Sequence, residues 1–147
     1  MSTATVTSSN PTSSALQANR MASAGDLAGR VGLSTIFLLA GLNKIQGYEG
    51  TQGYMASVGV PGELLPLVIL VEVLGALLLI FGLFTRITAV ALAGFSIVSA
   101  LLFHADVADP MQFIMFFKNI AMAGGFLVVA AHGAGSWSID ARRKAAR

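Results

Sequence analysis

Glu72 lies near the middle of the apolar stretch Leu64 to Phe84, and the chain's other apolar stretches carry Lys118 with Asn119, Arg30 with Lys44, and a terminal His104. An ionisable side chain at the centre of a bilayer costs about 2.5 to 3.5 kcal/mol on insertion scales, so it is kept with a partner or a task. Glu72 can accept a proton or act as a counter-ion, and His104 can relay a proton near neutral pH. Lys118 and Asn119 are hydrogen-bond donors. The set suits an anionic or carbonyl-bearing headgroup. The ligand-binding candidates are Glu72, Lys118, Asn119, His104, Lys44 and Arg30, and the catalytic candidates among them are Glu72 and His104.

Such residues need elements that hold them in an apolar medium. The chain is 55% hydrophobic and only 11% charged, against roughly 25% charged in an ordinary soluble domain. Segments 27–45, 64–84, 87–103 and 113–131 each approach the ~20 residues that cross a bilayer. The expectation is an all-α, four-helix transmembrane bundle occupying residues 25–140. A Ser/Thr-rich segment, 1–24, is too polar to bury a core and is expected to be disordered. Residues 141–147 form a basic tail.

The short connection at Thr85 and Arg86 predicts a tight hairpin between the second and third helices. Arg20, Arg30, Arg86 and the C-terminal cluster fall on one side, while Glu49, Glu63, Asp106 and Asp109 fall on the other. The positive-inside rule then predicts a multi-pass protein of the bacterial inner membrane with both termini cytoplasmic. The same basic cluster reads as a flank held near anionic lipid rather than as a nucleic-acid surface. The bilayer is the expected partner, and nucleic acid is not.

On the first helix Arg30, Ser34, Phe37, Gly41 and Lys44 share a stripe at three- and four-residue steps. On the second, Glu72 shares one with Gly75, Leu79 and Gly82, and on the fourth Lys118 shares one with Ala121, Met122 and Gly125. Small residues allow close helix approach in lipid, which suits internal packing or a homo-oligomer equally. Counting ~1.5 Å per residue from the outer ends, Glu72 lies about 12 to 15 Å deep and Lys118 about 8 to 10 Å. That depth pairs Lys118 with Glu72 and sets His104 and Lys44 at the mouth of the same pocket. The purely structural alternative is that Glu72 and Lys118 satisfy each other and fix helix register, while Lys44 and Arg30 snorkel to the interface.

The chain contains no Cys. It therefore cannot cycle a dithiol, ligate an iron–sulfur cluster or attach haem through thioethers. The two histidines lie near opposite ends of the topology, so haem is not expected, nor is a metal. Any redox role needs a bound organic cofactor or a partner.

The ordered features resemble the DoxX family of small four-helix bacterial membrane proteins. They are Arg30, Gly41 with Lys44, Gly59-Val60-Pro61, Glu72 with Gly75, Gly82 and Arg86, His104, Lys118-Asn119 with Gly124-Gly125, and the ending Gly133 to Asp140. The resemblance covers about Arg30 to Asp140. It implies a family named after the small subunit of a thiosulfate:quinone oxidoreductase, whose other members resemble membrane partners of redox or sulfur-handling proteins. The function expected is then a non-autonomous membrane subunit of a quinone-linked oxidoreductase in sulfur or redox-stress metabolism. Quinone would be the ligand and a separate oxidoreductase subunit the partner. A non-catalytic assembly or anchoring protein and a small-solute or proton pathway are the competing readings.

Overall fold

A computed structural model describes residues 11–147, with side chains from Ser13 onward. The helices are α1 (Pro11–Gln46), α2 (Tyr48–Ser57), α3 (Leu65–Phe81), α4 (Thr85–Phe103), α5 (Pro110–His132) and α6 (Ile139–Ala145), with a 3-10 turn at Gly62–Leu64 before α3. Four helices, α1, α3 together with its leading 3-10 turn, α4 and α5, are long and apolar enough to cross a membrane. They form a ring in which α1 packs along α3, α3 turns back on α4, α4 packs along α5, and α5 closes on α1. Neighbours run antiparallel, and α3 and α5 stand on the diagonal.

Apolar surface faces outward over most of this ring: Leu67, Leu70, Ile87, Val90, Leu101, Ile114 and Val128 are all exposed. That is the distribution expected when lipid is the solvent. The interior is narrow and built from small residues between a few large ones, with Phe37, Leu79, Leu92 and Phe126 packed against Ala76, Ala89, Ala93 and Ala123. Phe37 meets Phe126 edge to face at 5.3 Å and Phe95 at 6.0 Å. Such edge-on aromatic pairs add about 0.5 to 1.5 kcal/mol beyond their buried area.

The structure departs from the sequence expectation at several element ends. The first helix does not begin near residue 27 but runs back to Pro11, so the expected disorder of 1–24 is corrected for 11–24, and residues 1–10 lie outside the described part. The reason is local: the segment is rich in Ala, with Gln, Leu and Met, which are good helix formers, and it extends a helix already nucleated by packing. Ser23 anchors the extension by hydrogen-bonding Ser136 in the C-terminal loop. At ~1.5 Å per residue, 36 residues make a rod of about 54 Å against a hydrocarbon core of about 30 Å. The first connection also holds a helix, α2, where only a loop was expected.

The second span ends at Phe81 rather than Phe84 because Gly82 adopts φ +67. The Leu83 N–H then reaches the Leu78 carbonyl and the Gly82 N–H the Leu79 carbonyl, a left-handed helix stop that favours glycine. A Cβ on Gly82 would also collide with the Arg30 guanidinium and Ser138. The fourth span starts earlier than 113. Asp109 accepts from the N–H groups of Met111 and Gln112, and Pro110 occupies the first turn, a helix start that satisfies orphan donors.

One end of the bundle is locked by two charged side chains. Arg30, 1% exposed, donates from Nη1 to the carbonyls of Leu79 (2.9 Å) and Ile80 (3.3 Å) and from Nη2 to that of Trp137 (2.7 Å). It thereby adds a donor to the carbonyls at the C-terminus of α3 and ties the loop after α5 to α1. Arg30 does not snorkel, because these acceptors hold it inside.

Asp140 does the reciprocal work at the N-terminus of α4, accepting from Phe84 N (3.0 Å) and Thr85 N (2.9 Å) while its own N–H donates to Gly82 O. The clamp holds Phe84 at φ 50, an uncommon conformation for a bulky residue. Partial burial would raise the Asp140 carboxyl, but the bonds from Thr85 and Phe84, with Arg143 nearby, outweigh it and hold the group below its ordinary value of 3.8.

Two outcomes follow from this clamp. Arg30→Ala should cost about 3 to 5 kcal/mol, because it removes three charge-assisted bonds of a buried guanidinium and leaves the Ile80 carbonyl at the end of α3 without this donor, measured by unfolding in mixed detergent micelles. A carboxyl depressed in the folded state contributes stability above its unfolded value and loses it as pH falls through the folded one. The stability advantage of the wild type over Asp140→Ala should therefore be constant at neutral pH and shrink as the pH drops below about 4, read as melting temperature in detergent.

Candidate functional site

The opposite end of the bundle contains a cavity of about 260 Å³ between α1, α2, α3 and α4. Its walls are mainly apolar, from Val68, Phe95, Val98 and Leu102, and α2 covers it with Tyr54 and the buried Met55. Besides the hydroxyl-bearing Thr51, Tyr54 and Ser99, polar groups enter with Lys44 at the end of α1, Glu72 inside α3, and His104 just past α4.

Lys44 Nζ donates to Glu72 Oε1 at 2.9 Å, the one ion pair among the described residues. The Lys44 side chain is 27% exposed and that of Glu72 6%. The contact depends on how closely α1 meets α3. A Cβ on Gly41 would lie 2.6 Å from Val73 Cγ2 and 3.3 Å from Glu72 Cβ, so only glycine lets the two backbones approach this near. Lys44 sits one turn beyond Gly41 and arrives beside the carboxylate. Glu72 Oε2 remains buried with no hydrogen-bond partner among the described residues.

At the cavity mouth the Tyr54 hydroxyl donates to Phe103 O at 3.3 Å, with the two rings stacked obliquely 5.7 Å apart. His104 Nδ1 lies 2.7 Å from Gln112 Oε1. With that amide oxygen as acceptor, Nδ1 carries the proton and Nε2 is left as the imidazole's free acceptor.

The candidates therefore separate. Glu72, Lys44 and His104 share one cavity. Lys118 does not reach Glu72: its Nζ contacts Met115 Sδ at 3.0 Å on its own helix, and α5 stands diagonal to α3. Asn119 is buried and donates to Met115 O at 2.9 Å, and neither residue lines the cavity. Depth alone suggested the Lys118 pairing, and helix order around the ring overrides it. Arg30 lies at the far end, about 21 Å along α1 from Lys44, with its Nη donors engaged as above. Lys44 does not snorkel away, because Glu72 holds it.

Sequence reasoning missed Tyr54 and Gln112. Tyr54 was hidden in a connection read as loop. Gln112 carried a usable signal as the lone amide in the first turn of the last span, placed one short connection from His104.

Comparison with known proteins agrees with this architecture. The DoxX family model matches residues 25–105. The inner membrane protein YqjF of Escherichia coli (strain K12) is 48% identical, over 79% of this chain and 89% of its own length. The inner membrane protein YphA of the same organism is 37% identical, over 79% of this chain and 88% of its own length. A Bacillus subtilis (strain 168) protein named "Putative oxidoreductase CatD" is 39% identical over 51% of this chain and 56% of its own. No solved structure matches. A multi-pass protein of the inner membrane, the chain belongs to the DoxX family.

Proposed function

We propose that the chain is the membrane subunit of a quinone-linked oxidoreductase system and that the Lys44–Glu72 cavity receives the headgroup. The observation that carries this reading is Glu72 Oε2, a buried carboxylate oxygen without a hydrogen-bond partner among the described residues, in a mainly apolar cavity. An isolated carboxylate oxygen in such surroundings is costly, and the hydroxyl of a reduced quinol headgroup would satisfy it by donating to it. A quinone supplies reversible two-electron, two-proton chemistry when bound. The chain supplies the rest: Lys44 donates toward an oxygen of the headgroup, Glu72 exchanges a proton through Oε2, His104 Nε2 faces proton traffic at the mouth, and the apolar walls take the ring. The relative named for oxidoreductase activity supports the same class of chemistry. Electrons enter from a separate redox subunit, because a chain without Cys has no dithiol to pass them on. The basic end of the bundle is assigned to the cytoplasm by its Arg86, Arg142, Arg143 and Lys144, which puts the cavity in the outer half of the membrane.

The test is equilibrium binding of a short-chain ubiquinol analogue, kept in its reduced form, to the full protein in detergent. Glu72→Gln should keep its melting temperature within a few degrees and weaken binding about tenfold, the equivalent of one charge-assisted hydrogen bond. Lys118→Gln should leave binding unchanged. Equal affinity in wild type and a folded Glu72→Gln would reject the proposal.

Stability and binding separate in a second series. Lys44→Ala should destabilise by about 3 to 5 kcal/mol, since it strands the carboxylate. The double variant Lys44→Met/Glu72→Leu should recover most of that loss and still fail to bind. A pair that serves assembly alone would show no binding to lose.

A further inference from the structure

A second, larger cavity of about 650 Å³ opens at the other end of the bundle, between the start of α4, the loop 133–138 and α6. Arg86, His132, Arg143, Lys144 and Arg147 line it. The sole acid on its wall is Asp140, whose two oxygens are already engaged by the N–H groups of Phe84 and Thr85. None of the five basic side chains forms an ion pair with an acidic residue among the described residues.

The fold holds this charge in place. Gly133 and Gly135, at φ +89 and +71, turn the chain back after α5, and Ser138 caps α6 by accepting from Ala141 N at 3.1 Å while donating to Gly135 O at 2.7 Å. With Asp140 clamped to the α3–α4 turn, α6 cannot swing its basic residues away. Arg143 lies over the Phe84 ring at 5.5 Å, and the Arg86 guanidinium packs against Gly133, where a Cβ would sit 3.5 Å from Nε. His132 Nδ1 donates to Val128 O at 2.9 Å, turning its other nitrogen outward. Phe84 and Ile87 on the cavity wall and Val90 one turn on are exposed at the start of a membrane-spanning helix.

We propose that this cavity binds the headgroup of an anionic phospholipid. The phosphate lies among Arg86, Arg143, Lys144 and Arg147, and the acyl chains run along Ile87 and Val90. Guanidinium forks match phosphate oxygens in pairs, and the site places them at the depth where a spanning helix begins. A free phosphate ion shares the headgroup chemistry but would not need the apolar strip below it. That strip selects the lipid.

Native mass spectrometry of the full chain, released from vesicles of equal phosphatidylglycerol and phosphatidylcholine, tests this directly. The wild type should retain phosphatidylglycerol in preference to phosphatidylcholine. The double variant Arg86→Gln/Arg143→Gln should lose about tenfold or more of that preference, two charge-assisted contacts being removed. Lys144→Gln/Arg147→Gln, on the exposed flank, should lose a smaller part and keeps the test open if the first pair does not fold. Arg20→Gln, a basic residue elsewhere on the chain, should change nothing. Equal retention of the two lipids by the wild type would overturn the proposal, as would an equal loss in Arg20→Gln. Binding of inorganic phosphate to the delipidated protein at the same affinity as phosphatidylglycerol, with the same dependence on Arg86, would overturn the lipid assignment in favour of a soluble anion.

Discussion

A polar group inside lipid must find a partner within the protein, and α1 carries two cations that do so on the same neighbour. Arg30 closes the end of α3 by gripping its last carbonyls, and Lys44 reaches the Glu72 carboxylate further up that helix. Two attachments about 21 Å apart fix both the rotation and the axial position of α1 against α3. Much else follows from that register: the packing of Phe37 against Phe126, the docking of the C-terminal loop on Arg30, and the placing of the cavity beside Glu72. Between the two attachments the interior is sealed by Phe37, Leu79 and Phe126, so the polar ends of the bundle are separate compartments.

The two ends use charge differently. At the Lys44–Glu72 end, charge is sparse, opposite in sign and buried, which favours a small ligand that hydrogen-bonds in an apolar setting. At the α6 end it is dense, of one sign and partly open, which favours an anion at the membrane surface. The carboxylate of Asp140 marks the boundary between structure and surface there, since its hydrogen bonds hold the α3–α4 turn and a single acid faces several basic side chains.

The spans and their order were readable because lipid imposes a long apolar segment for each crossing, and Glu72 was conspicuous because such segments seldom contain an acid. Partner choice was less readable. Whether Lys44 or Lys118 meets Glu72 depends on which helices are neighbours in the ring, and residue depth carries no information on that. The signal that could have decided it was Gly41, one turn before Lys44, as a mark of the close α1–α3 approach. The start of α1 is less legible because polarity and helix propensity point in opposite directions there: Ala-rich sequence joined to a packed helix continues it, whether or not it buries a face. The helix α2 was hidden by its three nearby glycines, which read as breakers, although the buried Met55 pins it over the bundle.

Gly41 also carries a consequence for how substitutions in this chain sort themselves. The charged feature of the cavity is an ion pair, yet what brings the pair together is a hydrogen atom in place of a methyl group on a residue that does not line the cavity. Enlarging that residue pushes two helices apart and unpairs a buried acid in the same movement. Damage to packing and damage to electrostatics are therefore one event at this position, and a loss of affinity arising there would carry the signature of a missing charge although every charged residue is still in the sequence.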